Sequence, residues 1–133
     1  MRFDLTPEQE AFKVEVEKFL HENLSKSLAD KVRFGASVSK QELGDWTKVL
    51  NARGWAAPNW PVEYGGTGWN LVQRHIFDVA CRAYHAPQLS GFGFNMVGPA
   101  IIKYGNAEQK ADWLPKIRDA QLWFCQGYSE PEA

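Results

Sequence analysis

The amino-acid sequence predicts an all-α fold, a helical bundle of about five or six helices with one emerging C-terminal β-strand. Three observations carry this. Capping residues at Thr6, Ser39, Asn70 and Asn106 are each followed three residues later by Gln or Glu, the pairing that satisfies the first amides of a helix from both sides. Apolar residues then recur every three or four positions, which places them on one helix face. Only the last stretch alternates: Leu122, Phe124, Gln126 and Tyr128 fall on one side, and Trp123, Cys125 and Gly127 on the other. That period of two, followed by Ser129-Glu130-Pro131, reads as a strand entering a turn.

The first helix opens at Thr6-Pro7, with Glu8 and Glu10 near the positive end of its dipole, and buries Phe12, Val16, Phe19, Leu20 and Leu24. Residues 25–39 are polar and weakly periodic, so a loop or short broken helix is expected. The second helix follows Ser39, presents Leu43, Trp46, Val49 and Leu50, and ends at Gly54, a residue that adopts the left-handed cap without strain. Residues 54–69 form a long loop containing Pro58, Pro61 and three clustered glycines. Its aromatic content predicts that it packs down and helps to wall a pocket. Asn70 opens the next helix, with Val72, Ile76, Val79, Ala80 and Ala83 inward. Pro87 ends that pattern. Gln88–Met96 is uncharged and reads as buried on more than one side; Gly91 and Gly93 within it point to close packing or to ligand contact. Val97–Tyr104 continues as helix. Asn106 opens a last helix, in which Pro115 predicts a kink or an early end. The domain boundary is set at residue 120, with residues 1–120 helical and 121–133 beginning a second, β-domain.

Composition narrows the function classes. A net charge of -1 gives no basic footprint for nucleic acid or an anionic membrane. No apolar run approaches the roughly 20 residues of a membrane span, and the first residues show no signal-peptide core. Two cysteines without framework spacing make a reducing, cytoplasmic setting the expectation. Gly65-Gly66-Thr67-Gly68 has neither the preceding strand nor the lysine of a phosphate loop, so a tight turn is the expectation. Cys81 and His85 sit at i,i+4 without a third ligand, and no metal site is assigned. The carboxylates show no catalytic spacing.

Two sets of residues resemble the acyl-CoA dehydrogenase family. Pro61-Val62-Glu63-Tyr64-Gly65-Gly66-Thr67-Gly68 is similar to its Pro-x-Glu-Tyr-Gly-Gly-x-Gly signature. Tyr104-Gly105 through Gln109-Lys110, then Leu114-Pro115, then Tyr128-Ser129-Glu130-Pro131, resemble later elements in the same order. The resemblance covers the whole chain. It implies an N-terminal helical domain and the start of the middle β-domain of an enzyme that holds FAD and oxidises an acyl-CoA thioester between Cα and Cβ. A carboxylate takes the α-proton, the β-hydrogen leaves as hydride to the flavin, and an electron-transfer flavoprotein receives the electrons. Gln126, Tyr128 and Ser129 match positions that contact the flavin, and Phe92 and Met96 match positions that line the acyl tail. The catalytic carboxylate of most relatives lies in the C-terminal domain, so no catalytic residue is assigned here. The Trp-Pro-x-Glu-Tyr and Phe-Cys-Gln-Gly-Tyr-Ser-Glu-Pro variants are similar to the bacterial branch that includes sterol side-chain enzymes, some of them heteromeric; a homo- or hetero-oligomer is therefore expected. On the residues alone, a helical module that binds a partner or an acyl ligand without redox chemistry stays open; flavin absorbance of the purified protein separates the two.

Overall fold

A computed structural model describes residues 4–132 and contains six α-helices. They are α1 (Pro7–Asn23), α2 (Lys26–Arg33), α3 (Lys40–Arg53), α4 (Leu71–Ala83), α5 (Gly98–Tyr104) and α6 (Ala107–Arg118). A 3-10 turn, Val62–Tyr64, interrupts the long loop, and a π-helix, Phe92–Val97, runs directly into α5.

The helix starts follow the capping chemistry. Thr6, Ser39, Asn70 and Asn106 each accept the amide of the residue three positions on, and that residue's side chain returns the bond. Gly54 closes α3 in the left-handed conformation at φ 79°. The residues expected as loop or broken helix include a regular one, α2. Ser25 caps it by accepting Leu28 N–H at 3.2 Å, and Leu28 is its one buried residue. One apolar anchor in eight residues leaves no periodicity to read. Lys31 Nζ then ties α2 to α3 through Glu42 at 2.6 Å.

Two buried clusters organise the molecule. In the first, Val16 and Leu20 of α1 are fully buried against Leu50, Trp55, Phe77 and Ala80. Each aliphatic side chain so buried contributes about 1.5–3 kcal/mol. The aromatic rings meet edge to face: Phe19 on Trp55 at 4.8 Å, and Phe12 on Trp69 at 5.1 Å. In the second cluster, Ala57 and Trp60 of the long loop pack on Leu114 and Ile117 of α6. The loop is therefore a bridge between the clusters, packed down as its aromatic content requires.

Three helical expectations change. Val72, Val79 and Ala83 are exposed, the two valines at 40% and 50%; Ile76 and Ala80 face inward as expected, with Phe77 beside them. The aromatic Phe77 outweighs the valines as an anchor, and the helix rotates to bury it. Pro115 does not end α6, which continues to Arg118. Its missing N–H removes one rung of the ladder, to the Ala111 carbonyl, but both residues are exposed, where that loss is cheap. Gln88–Met96 is not buried on every side: Phe92 and Met96 are 37% and 46% exposed, while Gly93 is buried against Ile117 and Phe124.

The tail is held at its root. Trp123 Nε1 donates to the Ala120 carbonyl at 2.8 Å, and the Phe124 ring lies 6.3 Å from that of Trp113. Beyond Phe124 every described residue is exposed. No strand is assigned among the described residues, because a strand is defined by pairing and no second strand lies beside residues 122–128. Ala133, the last residue of the expected β-domain span, lies outside the described residues.

Candidate functional site

The π-helix is the irregular element of the bundle, and Pro99 favours it. In an α-helix the proline ring would clash with the carbonyl of Asn95, and its missing N–H would break the ladder there. A π turn adds one residue and moves that crowding apart. The Gly98 N–H accordingly donates to Gly93 and not to Phe94, its α-helical acceptor. The Phe94 carbonyl is left for another donor, and Trp60 Nε1 supplies it at 2.7 Å.

The exposed side of this element carries the two pocket candidates. Met96 borders an open groove of about 500 Å³ whose wall continues through Ala100, Ile101, Tyr104 and Trp113. Phe92 lies one turn earlier and is half-exposed. A second cavity, about 310 Å³, flanks the π-helix through Phe94 and Asn95 and is walled by Trp46, Trp55, Trp60 and Leu89. Cys81 borders it as well; burial, with a smaller contribution from the Asp78 charge, pushes this thiol up to about 12.

The tail candidates are placed unevenly. Gln126 Nε2 donates to Met96 Sδ at 3.7 Å, across 30 residues of sequence. One cofactor candidate and one pocket candidate are thus in contact. Tyr128 is 83% exposed, and Ser129 is exposed too. Neither is brought against Phe92. Among the described residues no group of three or more His, Cys, Asp or Glu could hold a metal ion. His85 lies past the end of α4 at φ 56°, so the helical spacing to Cys81 does not hold there.

Sequence reasoning missed the role of Trp60. The signal was present in Pro99, since a proline inside a continuous helical run requires a donor from elsewhere for a stranded carbonyl. What could not be read was which of six Trp supplies it.

The model of the acyl-CoA dehydrogenase N-terminal domain matches residues 6–121. The chain belongs to the acyl-CoA dehydrogenase family. Acyl-CoA dehydrogenase IpdE1 of Mycolicibacterium smegmatis is 36% identical over 131 residues, covering 95% of this chain and 33% of that protein. The ChsE4–ChsE5 complex from Mycobacterium tuberculosis superposes on the whole chain with TM-score 0.73 at 32% identity, covering 33% of the matched subunit. A solved steroid acyl-CoA dehydrogenase, Tcur3481–Tcur3483, superposes equally well, with TM-score 0.73 at 29% identity over the whole chain and 34% of its own. The chain spans about a third of the length of these acyl-CoA dehydrogenases. No described helix is long and apolar enough to cross a membrane.

Proposed function

We propose that this chain is the N-terminal portion of a flavin-dependent acyl-CoA dehydrogenase, in which it forms one wall of the acyl pocket and one edge of the FAD site. The observation that carries this reading is the contact of Met96 with Gln126, because it sets an apolar groove and a hydrogen-bonding tail side by side. That is the arrangement a thioester needs when its Cβ must lie against a flavin.

The donor set of the tail fits a flavin edge. A carboxamide, a phenol and an aliphatic hydroxyl fall within four residues, all of them exposed. FAD, when bound, supplies the acceptor for a hydride leaving Cβ. Gln126, Tyr128 and Ser129 offer hydrogen bonds to its edge. Phe92 and Met96 cover the acyl tail and keep water from it. Leu122–Tyr128 pairs as a strand once further strands of a middle domain, begun near residue 121, lie beside it. The α-proton is taken by a carboxylate that residues 4–132 do not contribute, so the chain is inactive alone.

An acyl-CoA is the substrate and an electron-transfer flavoprotein the electron acceptor. The paired subunits of the ChsE4–ChsE5 and Tcur3481–Tcur3483 proteins support an oligomer, and a heteromeric one in particular. Both cysteines are free thiols, in keeping with the cytoplasm. The test is direct: the purified chain, given FAD, an acyl-CoA and an artificial electron acceptor, shows no turnover. Measurable oxidation would overturn the placement of the base outside these residues.

A further inference from the structure

The Phe94 carbonyl has no main-chain donor in its π register. Its α-helical partner, Gly98 N–H, is bonded to Gly93. Its π-helical partner would be residue 99, which is proline and has no N–H. The Trp60 indole fills this gap at 2.7 Å and is itself 4% exposed, so it has no water to turn to. A buried polar group left without a partner is costly, because it has given up its bonds to water. In the α register Gly98 N–H would satisfy the Phe94 carbonyl by itself, so only the π register depends on the indole N–H. One indole N–H therefore weighs on the choice between two registers.

Trp60 is fixed firmly enough to make that choice. Its ring fills the space above Gly98, with Cε2 only 2.8 Å from where a Cβ would stand. It lies 6.0 Å from the Phe94 ring. Its own carbonyl is pressed against Gly66 so closely that a side chain there would overlap it. Gly66 N–H and Tyr64 N–H both bond the Pro61 carbonyl at 3.0 Å, which closes the turn behind it. The Pro61–Gly68 loop acts as a bracket for one side chain.

We propose that Trp60 is a positioning residue: its indole N–H holds residues 92–97 in the π register and so sets the phase at which Met96 faces the tail. Adding or removing one residue in a turn rotates what precedes it by about 100°. That rotation would break the contact of Met96 with Gln126. The functional consequence rests on the reading of Phe92 and Met96 as acyl-pocket wall; the register lock itself does not.

The chain has two methionines, so a methyl-labelled sample reports on Met96 with little overlap. The variant is Trp60→Phe, which keeps a ring and deletes the N–H. The control is Leu114→Ala, in the same buried cluster. Trp60→Phe is expected to move the Met96 methyl resonance and abolish its nuclear Overhauser contact with the Gln126 carboxamide. Leu114→Ala is expected to lower the unfolding midpoint at least as much while leaving both signals in place. A Trp60→Phe protein with both signals unchanged overturns the proposal. The unmodified chain gives a second reading that needs no variant to fold. The Trp60 indole proton is expected to exchange with solvent roughly 100-fold or more slowly than that of Trp113, which is 41% exposed. Equal rates overturn the lock. Neither measurement uses flavin or acyl-CoA, so a chain that passes both yet fails to support flavin binding loses the functional reading and keeps the lock.

Discussion

Trp60 and Gly98 share one volume: the indole ring occupies the space in which any other residue at position 98 would carry its Cβ. Alanine is the better helix former by about 1 kcal/mol, so a helix-propensity argument alone favours Gly98→Ala. The packing argument opposes it and is larger, because a Cβ at position 98 would overlap the body of the indole ring and not the end of a flexible side chain. We expect Gly98→Ala to destabilise the fold by about 1–3 kcal/mol, read as a lower urea midpoint.

Gly66 makes the stronger case within the same loop. A Cβ there would overlap the Trp60 main-chain carbonyl, which cannot rotate out of the way. Gly54 is the useful comparison, since it has φ 79° and open space around it. Gly54→Ala therefore carries only left-handed backbone strain, about 1–2 kcal/mol. Gly66→Ala is expected to exceed it clearly in parallel thermal or urea melts. Equal losses would mean that the turn around residues 61–66 relaxes freely.

The link between α2 and α3 titrates. The Lys31 ammonium, then the Ser39 amide and hydroxyl, hold the Glu42 carboxyl down at about 2, against a usual value of 4.5. A depressed carboxylate adds stability above its unfolded value and loses it as pH falls toward the folded one. Between about pH 4.5 and 2 the parent should lose stability faster than Glu42→Gln. Both carboxylate and ammonium are partly exposed, so added salt should shrink the difference. Parallel slopes for the two proteins over that window would remove the assignment.

The two thiols should separate cleanly. Cys81 is pushed up to about 12, chiefly by burial, whereas Cys125 lies on the exposed tail. Thiolate is the reacting form. Iodoacetamide at mildly alkaline pH should therefore label Cys125 first, with Cys81 protected until the chain is unfolded. Mass spectrometry of the partly alkylated protein reads this, and prior labelling at Cys81 would contradict the buried placement of its helix face.

Much of this was legible in the residues, for reasons that differ from element to element. The four helices with reciprocal caps were readable because capping is local chemistry at fixed spacing. Gly54 ended α3 for an equally local reason. The errors came where tertiary packing decided. Val72 and Val79 fit the helical period, yet Phe77 claimed the buried face of α4. Pro115 threatened α6, but it and Ala111, four residues before it, are exposed. The π-helix could not be read, because Pro99 marks a disturbance of the helix without its form, and the donor that meets the Phe94 carbonyl lies 34 positions away. In the candidate site, the contact of Met96 with Gln126 joins two elements that local spacing treats separately. The strand expected over residues 122–128 needs a partner strand before it can exist as one.

The central claim is that these residues form an acyl wall and a flavin edge for a base carried elsewhere. It is tested most directly by a chimera in which this chain replaces the corresponding third of Mycolicibacterium smegmatis IpdE1. The purified chimera is mixed anaerobically with an acyl-CoA while the flavin absorbance band is followed. The account predicts a yellow protein whose band bleaches on addition of the thioester, and a weaker flavin complement in the Gln126→Ala and Tyr128→Phe forms. A folded, oligomeric chimera that holds no flavin, or holds it identically in all three forms, would contradict it.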